Sequence, residues 1–203
     1  MRRALADFYD FAERLQFSEG VGLTREILEH VKRHIPAATE IVRAGRTDDR
    51  HGTDYWVKRK FDLPPVSIDL KSREFCPIQK FGSDDACVET TSVYRGLSAK
   101  PYRDDLREKP GWTVDERKRT DLIVYTWPHD ADLFGAPRMR YWILYFPHLC
   151  AAATEHWRRW ALTYQERPAQ NKGYVTLSVY PPRSVIANSI REFTSGTLTE
   201  SLF

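Results

Sequence analysis

Cysteine is scarce: Cys76, Cys87 and Cys150 are the only three in 203 residues, too far apart for a CxxC pair and odd in number. That excludes a disulfide-stapled secreted scaffold and points to a reducing compartment, so a cytoplasmic protein is expected. Long apolar runs are missing as well. No stretch approaches the roughly 18 residues that a membrane-spanning helix needs. The N-terminal MRRALADFYDFAERLQF is interrupted by Asp7, Asp10 and Glu13, which makes it an amphipathic helix rather than a signal peptide. There is no glycine-rich phosphate loop, GxSxG elbow, GxGxxG or HExxH, and the six histidines show no paired ligand spacing. A zinc site is therefore not expected. Internal repeats, linkers and low-complexity tracts are absent too.

What is present is enough for one core. Hydrophobic residues make up 41% and aromatics 13%, with six Trp and ten Tyr, and the expectation is a single domain over 1–203. Leu5, Phe8, Ala12 and Leu15 recur at helical spacing. A second helix starts at Thr24 as N-cap, buries Ile27, Leu28, Val31 and Ile35, and stops at Pro36. The period then changes. TDYWVKRKF and VSIDLKS read as two strands of an antiparallel hairpin over DLPP, with ACVETTSVY as a third. Residues 95–119 are charged and aperiodic and read as a long surface excursion. TDLIVYTW and MRYWILYFP are continuous apolar runs, as in strands covered on both faces. LCAAATEHWRRWALTY reads as a helix, GYVTLSVYPP as a strand and RSVIANSIREF, at 183–193, as a closing helix. The order predicts an α/β fold with a mixed central sheet flanked by helices: N-terminal helices over 1–36 and a core over about 40–180.

The stretch PPVSIDLKSREF raises the chemical question. Alternating Val66, Ile68 and Leu70 mark a buried face, which leaves Ser67, Asp69 and Lys71 on the other. Acid-x-Lys is a weak motif: roughly one is expected by chance, and the chain has a second, Glu116-Arg117-Lys118, in the charged excursion. Asp69 and Lys71 differ by lying on a strand, where an unpaired buried charge costs several kcal/mol. Upstream, Gly52-Thr53-Asp54 opens the preceding strand, so a hairpin brings Asp54 and Asp69 together at one end. Two adjacent carboxylates repel unless a cation separates them, and oxygen ligands suit Mg²⁺ or Mn²⁺, to which the Leu70 carbonyl adds a further donor. The plainer alternatives are a solvent-facing ion pair worth under about 1 kcal/mol at Asp69 and Lys71, a turn residue at Asp54 and an outward-facing acid at Glu89.

In GTD (Asp54) and IDLK (Asp69, Lys71) the chain resembles the PD-(D/E)XK nuclease superfamily, whose signature is an Asp at the start of one strand and acid-x-Lys on the next. VETTSV, GW and TDLIVYTW are similar to the later strands and turn of its phage and prophage endonucleases and resolvases, over about 40–150. The resemblance implies a restriction-endonuclease-like core and Mg²⁺-dependent hydrolysis of DNA phosphodiesters. Asp54, Asp69 and Glu89 would hold metal, and Lys71 would orient or deprotonate water and stabilise charge on phosphorus. Thr53 stands where the family usually has proline. A helix glutamate facing the site has no convincing match, because Glu26 and Glu29 lie opposite the apolar stripe.

Of 31 basic residues 22 are Arg, but the net charge is only +3, so bulk charge is weak support for a nucleic-acid partner. Position says more: Arg43, Arg46, Arg50, Lys58, Arg59 and Lys60 flank the first motif strand, and Arg73 and Lys80 follow the second. Arg43, Arg50, Lys58, Arg73 and Lys80 are the expected phosphate contacts, with a solvated rim as the alternative. His51 is read as loop. Trp157, Trp160 and Tyr164 are expected in the core, and the resemblance implies that Trp112 anchors the excursion. Many enzymes that cut both strands of a duplex pair their active sites in a homodimer, but nothing in the sequence shows an interface. The rival to the nuclease is a non-catalytic nucleic-acid-binding or interaction protein with the same fold, and a third reading is an enzyme acting on small phosphoesters.

Overall fold

A computed structural model describes residues 23–45, 47, 48, 51–73, 84–95, 106–129, 138–171 and 174–193. The first helix, Arg46, Arg50, Cys76 and Lys80 lie outside the described residues. The first sheet contains β1 (Ala38–Arg43), β2 (Tyr55–Arg59), β3 (Val66–Ser72), β6 (Leu122–His129) and β7 (Arg138–Tyr145), in that spatial order. The second contains β4 (Val88–Arg95), β5 (Leu106–Pro110), β8 (Glu166–Asn171) and β9 (Tyr174–Val179), ordered β5-β4-β9-β8. Three helices, α1 (Leu23–Arg33), α2 (Phe146–Tyr164) and α3 (Arg183–Phe193), complete a mixed α/β fold. Among the described residues no helix is long and apolar enough to cross a membrane.

The expected hairpin forms. Tyr55, Trp56 and Val57 pair antiparallel with Ile68, Ser67 and Val66. On its other edge β3 runs parallel to β6, from Ile68 opposite Leu122 to Ser72 opposite Thr126. That pairing makes the first sheet mixed and covers both flanks of the motif strand. Its two faces bury different residues. Ile27, Leu28, Val31 and Ile35 of α1 pack on Val57, Ile68, Val124 and Ile143. On the opposite face Ile123, Tyr125, Trp127, Trp142 and Leu144 pack with Val88 and Val179 of the second sheet and with Leu149, Ala152, Ala153, Trp160, Ile186 and Ile190 of α2 and α3. The apolar runs in β6 and β7 follow from this double coverage. Trp160 and Ala153 join the core as expected, while Trp157 is half-buried beneath the Arg158 guanidinium.

Several elements depart from the sequence reading. The chain is already helical at Leu23, the first described residue, so Thr24 stands within α1 rather than at its N-cap. Residues 95–119 are not one loop: β5 pairs with β4 from Leu106 opposite Arg95 to Pro110 opposite Thr91, and a 3₁₀ turn spans Trp112–Val114. LREKP has no two-residue alternation, and it becomes a strand by backbone pairing at the edge of a sheet that supplies the partner. β1 and β8 are edge strands of the same kind, and Pro168 is tolerated in β8 because an edge needs no ladder on one side. β4 does not extend the hairpin; it belongs to the second sheet, through β9.

Candidate active site

The site forms where the second face of β3 meets the second sheet. Ser67 anchors it: its N–H and hydroxyl both reach Asp121 Oδ2 at 2.8 Å, and its oxygen accepts the Asp121 N–H at 2.8 Å, which locks β3 to the start of β6. Two residues on, Asp69 is only 2% exposed, so the expected polar face is buried as deeply as the apolar one.

Asp54 precedes β2 by one residue and stitches three segments together. Its N–H donates to Ile68 O at 2.8 Å, its carbonyl accepts Ala44 N–H at 2.8 Å, and its Oδ2 accepts Leu70 N–H at 2.8 Å. The side chain thus continues the β2–β3 ladder where the backbone leaves it, which aims the carboxylate at Asp69. The Leu70 backbone enters the site through this N–H.

Gly52 makes the approach possible. It is buried at φ +91°, a conformation that favours glycine, and a Cβ there would lie 2.9 Å from Trp112 Nε1 and 3.0 Å from Thr120 Oγ1. The Thr120 hydroxyl donates to the Gly52 carbonyl. Thr53, in the position usually held by proline, is 1% exposed.

Lys71 Nζ lies 3.0 Å from Asp69 Oδ2 and 4.3 Å from the centre of the Trp112 ring. Trp112 is fixed in turn on Phe146 at 4.7 Å, so it anchors its segment as expected. Glu89 faces the same lysine from the second sheet. A bulge at Thr90 sets its direction, and its N–H is taken by Thr113 Oγ1 at 3.0 Å.

These charges act on each other. Burial pushes the Asp69 carboxyl up, Lys71 opposes this, and the charge of Asp54 with a hydrogen bond to it adds to the rise, to about 8. Burial also works against the charge on Lys71, but Asp69, Glu89 and Asp54 outweigh it and hold the ammonium above lysine's ordinary range. These carboxylates favour Lys71 in its charged form.

Asp69 Oδ2 is buried against the Lys71 ammonium, 3.0 Å away. A buried carboxylate beside a second carboxylate is a donor set that fits a hard divalent cation, and Mg²⁺ in particular is held by one or two carboxylates with water completing its shell. Among the described residues no three His, Cys, Asp or Glu side chains stand close enough to form a metal cage alone. Asp54 and Asp69 make a pair, with Glu89 facing it across Lys71.

A stability prediction follows from Asp69. Its folded-state pKa lies above the ordinary value of 3.8, so its contribution to the fold is full below about pH 4 and is lost as pH rises through about 8. Asp69→Asn removes the ionisation. Its melting temperature in EDTA is expected to exceed that of the parent by several degrees above pH 8 and to converge towards it near pH 4. A gap that does not change with pH would contradict the assignment.

The expected phosphate contacts fare differently. Lys58 pairs with Glu40 at 2.9 Å, both more than half exposed, and Arg43 is exposed. Arg73 is a correction: its side chain is 14% exposed, bound to Asp85 at 2.7 Å and set against the Tyr180 ring at 5.4 Å. It braces the interior instead of a DNA-facing rim, because a guanidinium this deep needs a partner carboxylate. His51 is exposed and its carbonyl accepts Arg119 N–H at 3.1 Å. Glu29 is exposed and pairs with Lys32 at 3.0 Å, away from the site. Sequence reasoning missed Asp121, whose spacing from Ser67 carries no local signal, and Lys118, from the acid-x-Lys triplet set aside as loop.

No family model matches the chain, and no curated protein matches it. A solved structure of a nuclease from a fusselovirus aligns over 96% of this chain and 97% of its own at 9% identity, with a TM-score of 0.30. A likeness that low carries no argument, and what this protein does has to be read from its own residues.

Proposed function

We propose that the protein is a divalent-metal-dependent endodeoxyribonuclease with a restriction-endonuclease-like core. One observation carries this reading: the buried Asp69 carboxylate lies against the Lys71 ammonium at 3.0 Å with the Asp54 carboxylate beside it. Asp54 directly before β2 and Asp69 with Lys71 on β3 match the strand placement that the motif resemblance implies.

Asp54 and Asp69 would hold Mg²⁺ or Mn²⁺, with the Leu70 carbonyl and Glu89 as further donors. A divalent ion bound there would polarise the phosphodiester and lower the pKa of a bound water. Lys71 keeps its proton and presents positive charge where negative charge develops on the phosphoryl oxygens. Trp112 and Phe146 hold it there and exclude bulk water from one side, which strengthens the interaction. Lys58 and Arg43, both exposed, would meet flanking phosphates.

The test is nicking of supercoiled plasmid and of branched DNA in Mg²⁺, Mn²⁺ or EDTA. The nuclease reading expects cleavage with either metal and none in EDTA. Binding without cleavage under every condition would instead support a non-catalytic nucleic-acid-binding protein.

A further inference from the structure

The triplet Glu116-Arg117-Lys118 splits in the folded chain. Arg117 is 75% exposed and its guanidinium is occupied by Asp115 through contacts of 2.8 and 3.0 Å, as on any solvated rim. Lys118 turns the other way. Its N–H donates to Asp115 O at 3.0 Å and the next N–H, of Arg119, to His51 O at 3.1 Å, which ties the segment to the loop carrying Gly52. Its side chain then runs over that glycine: the Lys118 Cδ lies 3.3 Å, and Trp112 Nε1 2.9 Å, from the point a Gly52 Cβ would occupy. The same Trp112 ring carries the Lys71 ammonium 4.3 Å from its centre. Gly52, Trp112 and the two lysines thus form one cluster beside Asp69.

Lys118 is only partly exposed; burial works against its charge, Asp115, Asp69 and Glu89 favour it, and Lys71 opposes it. Two lysine side chains that both neighbour Trp112 carry like charges, which repel. The arrangement is favourable with an anion lying between them, and a phosphodiester presents two non-bridging oxygens with one shared negative charge. A single lysine contacts one of those oxygens as a point charge, so two lysines suit a phosphate better than either does alone.

We infer that Lys118 is a second phosphate-holding cation of this site, positioning the DNA strand against Lys71 and the Asp54–Asp69 pair. The inference rests on the nuclease reading for the identity of the anion, and its test separates the two. Binding of fluorescently labelled duplex and branched DNA to the full chain is measured in EDTA over a range of salt, for the parent, Lys118→Ala and Lys118→Arg. Initial cleavage rates are measured in parallel in Mg²⁺.

Loss of one phosphate contact lowers the salt slope of log K by about 0.9. Lys118→Ala is expected to show that drop, to bind roughly 5- to 10-fold more weakly and to raise KM more than it lowers kcat. Lys118→Arg is expected to recover the slope, which a merely structural role would not give. An alanine variant with the parent's slope and KM overturns the inference, as does an arginine variant that fails to restore them. If the parent binds with a Lys118-dependent slope and never cleaves, Lys118 stands as a phosphate contact and the nuclease reading falls. If the parent cleaves and Lys118→Ala matches it in both measurements, this inference alone falls, and a parent that neither binds nor cleaves removes both.

Discussion

Lys71→Ala is expected to lower the rate of Mg²⁺-dependent plasmid nicking at least about 100-fold, the usual cost of losing a preorganised charge aimed at a developing oxyanion. The expectation comes from where the ammonium is held. It lies 3.0 Å from Asp69 and over the Trp112 ring, with its side chain 35% exposed, so no reorganisation is needed to meet a phosphate at that edge. Three carboxylates keep it protonated, which makes charge stabilisation its contribution. The variant should fold, because the lost contact is at a partly solvated side chain and Asp69 can take up a proton in its place. Thermal melts at pH 7 confirm folding, and a gel assay of supercoiled plasmid reads the rate. Retention of more than a tenth of the parent's rate would exclude Lys71 from the chemistry.

The largest effect on stability is expected at Gly111. Its backbone is ordinary, at φ −63°, so alanine there meets no conformational penalty. The obstacle is contact: a Cβ would lie 2.5 Å from both the carbonyl carbon and the oxygen of Glu89 and 2.6 Å from the Thr90 carbonyl carbon. Those are backbone atoms in a strand paired on both sides, and they cannot swing away as a side chain would. Gly111 N–H also donates to Thr90 O at 2.9 Å, a bond that any displacement breaks. Overpacking of this kind costs about 1–3 kcal/mol and the lost bond about 1 more. Gly111→Ala should therefore melt roughly 5–15 °C below the parent. It should lose activity as well, since the shift moves Glu89 and the Trp112 that carries Lys71. Gly45→Ala provides the control, with nothing within 4 Å of its Cβ and an expected change under about 0.5 kcal/mol. Equal melting temperatures for the two variants would refute the packing argument.

The motif strands were legible because their signals are local. Val66, Ile68 and Leu70 alternate, DLPP turns the chain, and the hairpin then brings Asp54 towards Asp69. What alternation could not show is that Ser67 and Asp69 would be buried as well, because coverage of the second face comes from elements distant in sequence. β4 illustrates the same limit: VETTSVY reads as a strand, yet its partner β9 begins at Tyr174, about 80 residues on, and nothing local tells which sheet it joins. Arg73 looked like part of a basic rim until Asp85 supplied the partner that draws it inward. Lys118 was hidden by its neighbours, since a charged, aperiodic segment gives no clue to which of its residues turns towards the site. Asp54 shows a subtler limit: its side chain replaces a backbone acceptor for Leu70 N–H, a role that only the folded register reveals.

The central claim is that Asp54 and Asp69 together bind a divalent cation beside Lys71. Diffraction from crystals soaked in Mn²⁺, recorded for anomalous signal, tests it most directly. The account expects one strong peak within about 2–2.5 Å of a carboxylate oxygen of each aspartate, with the Lys71 ammonium adjacent and the peak absent in Asp69→Asn crystals. Soaked crystals that diffract well and show no peak between the two aspartates would contradict it.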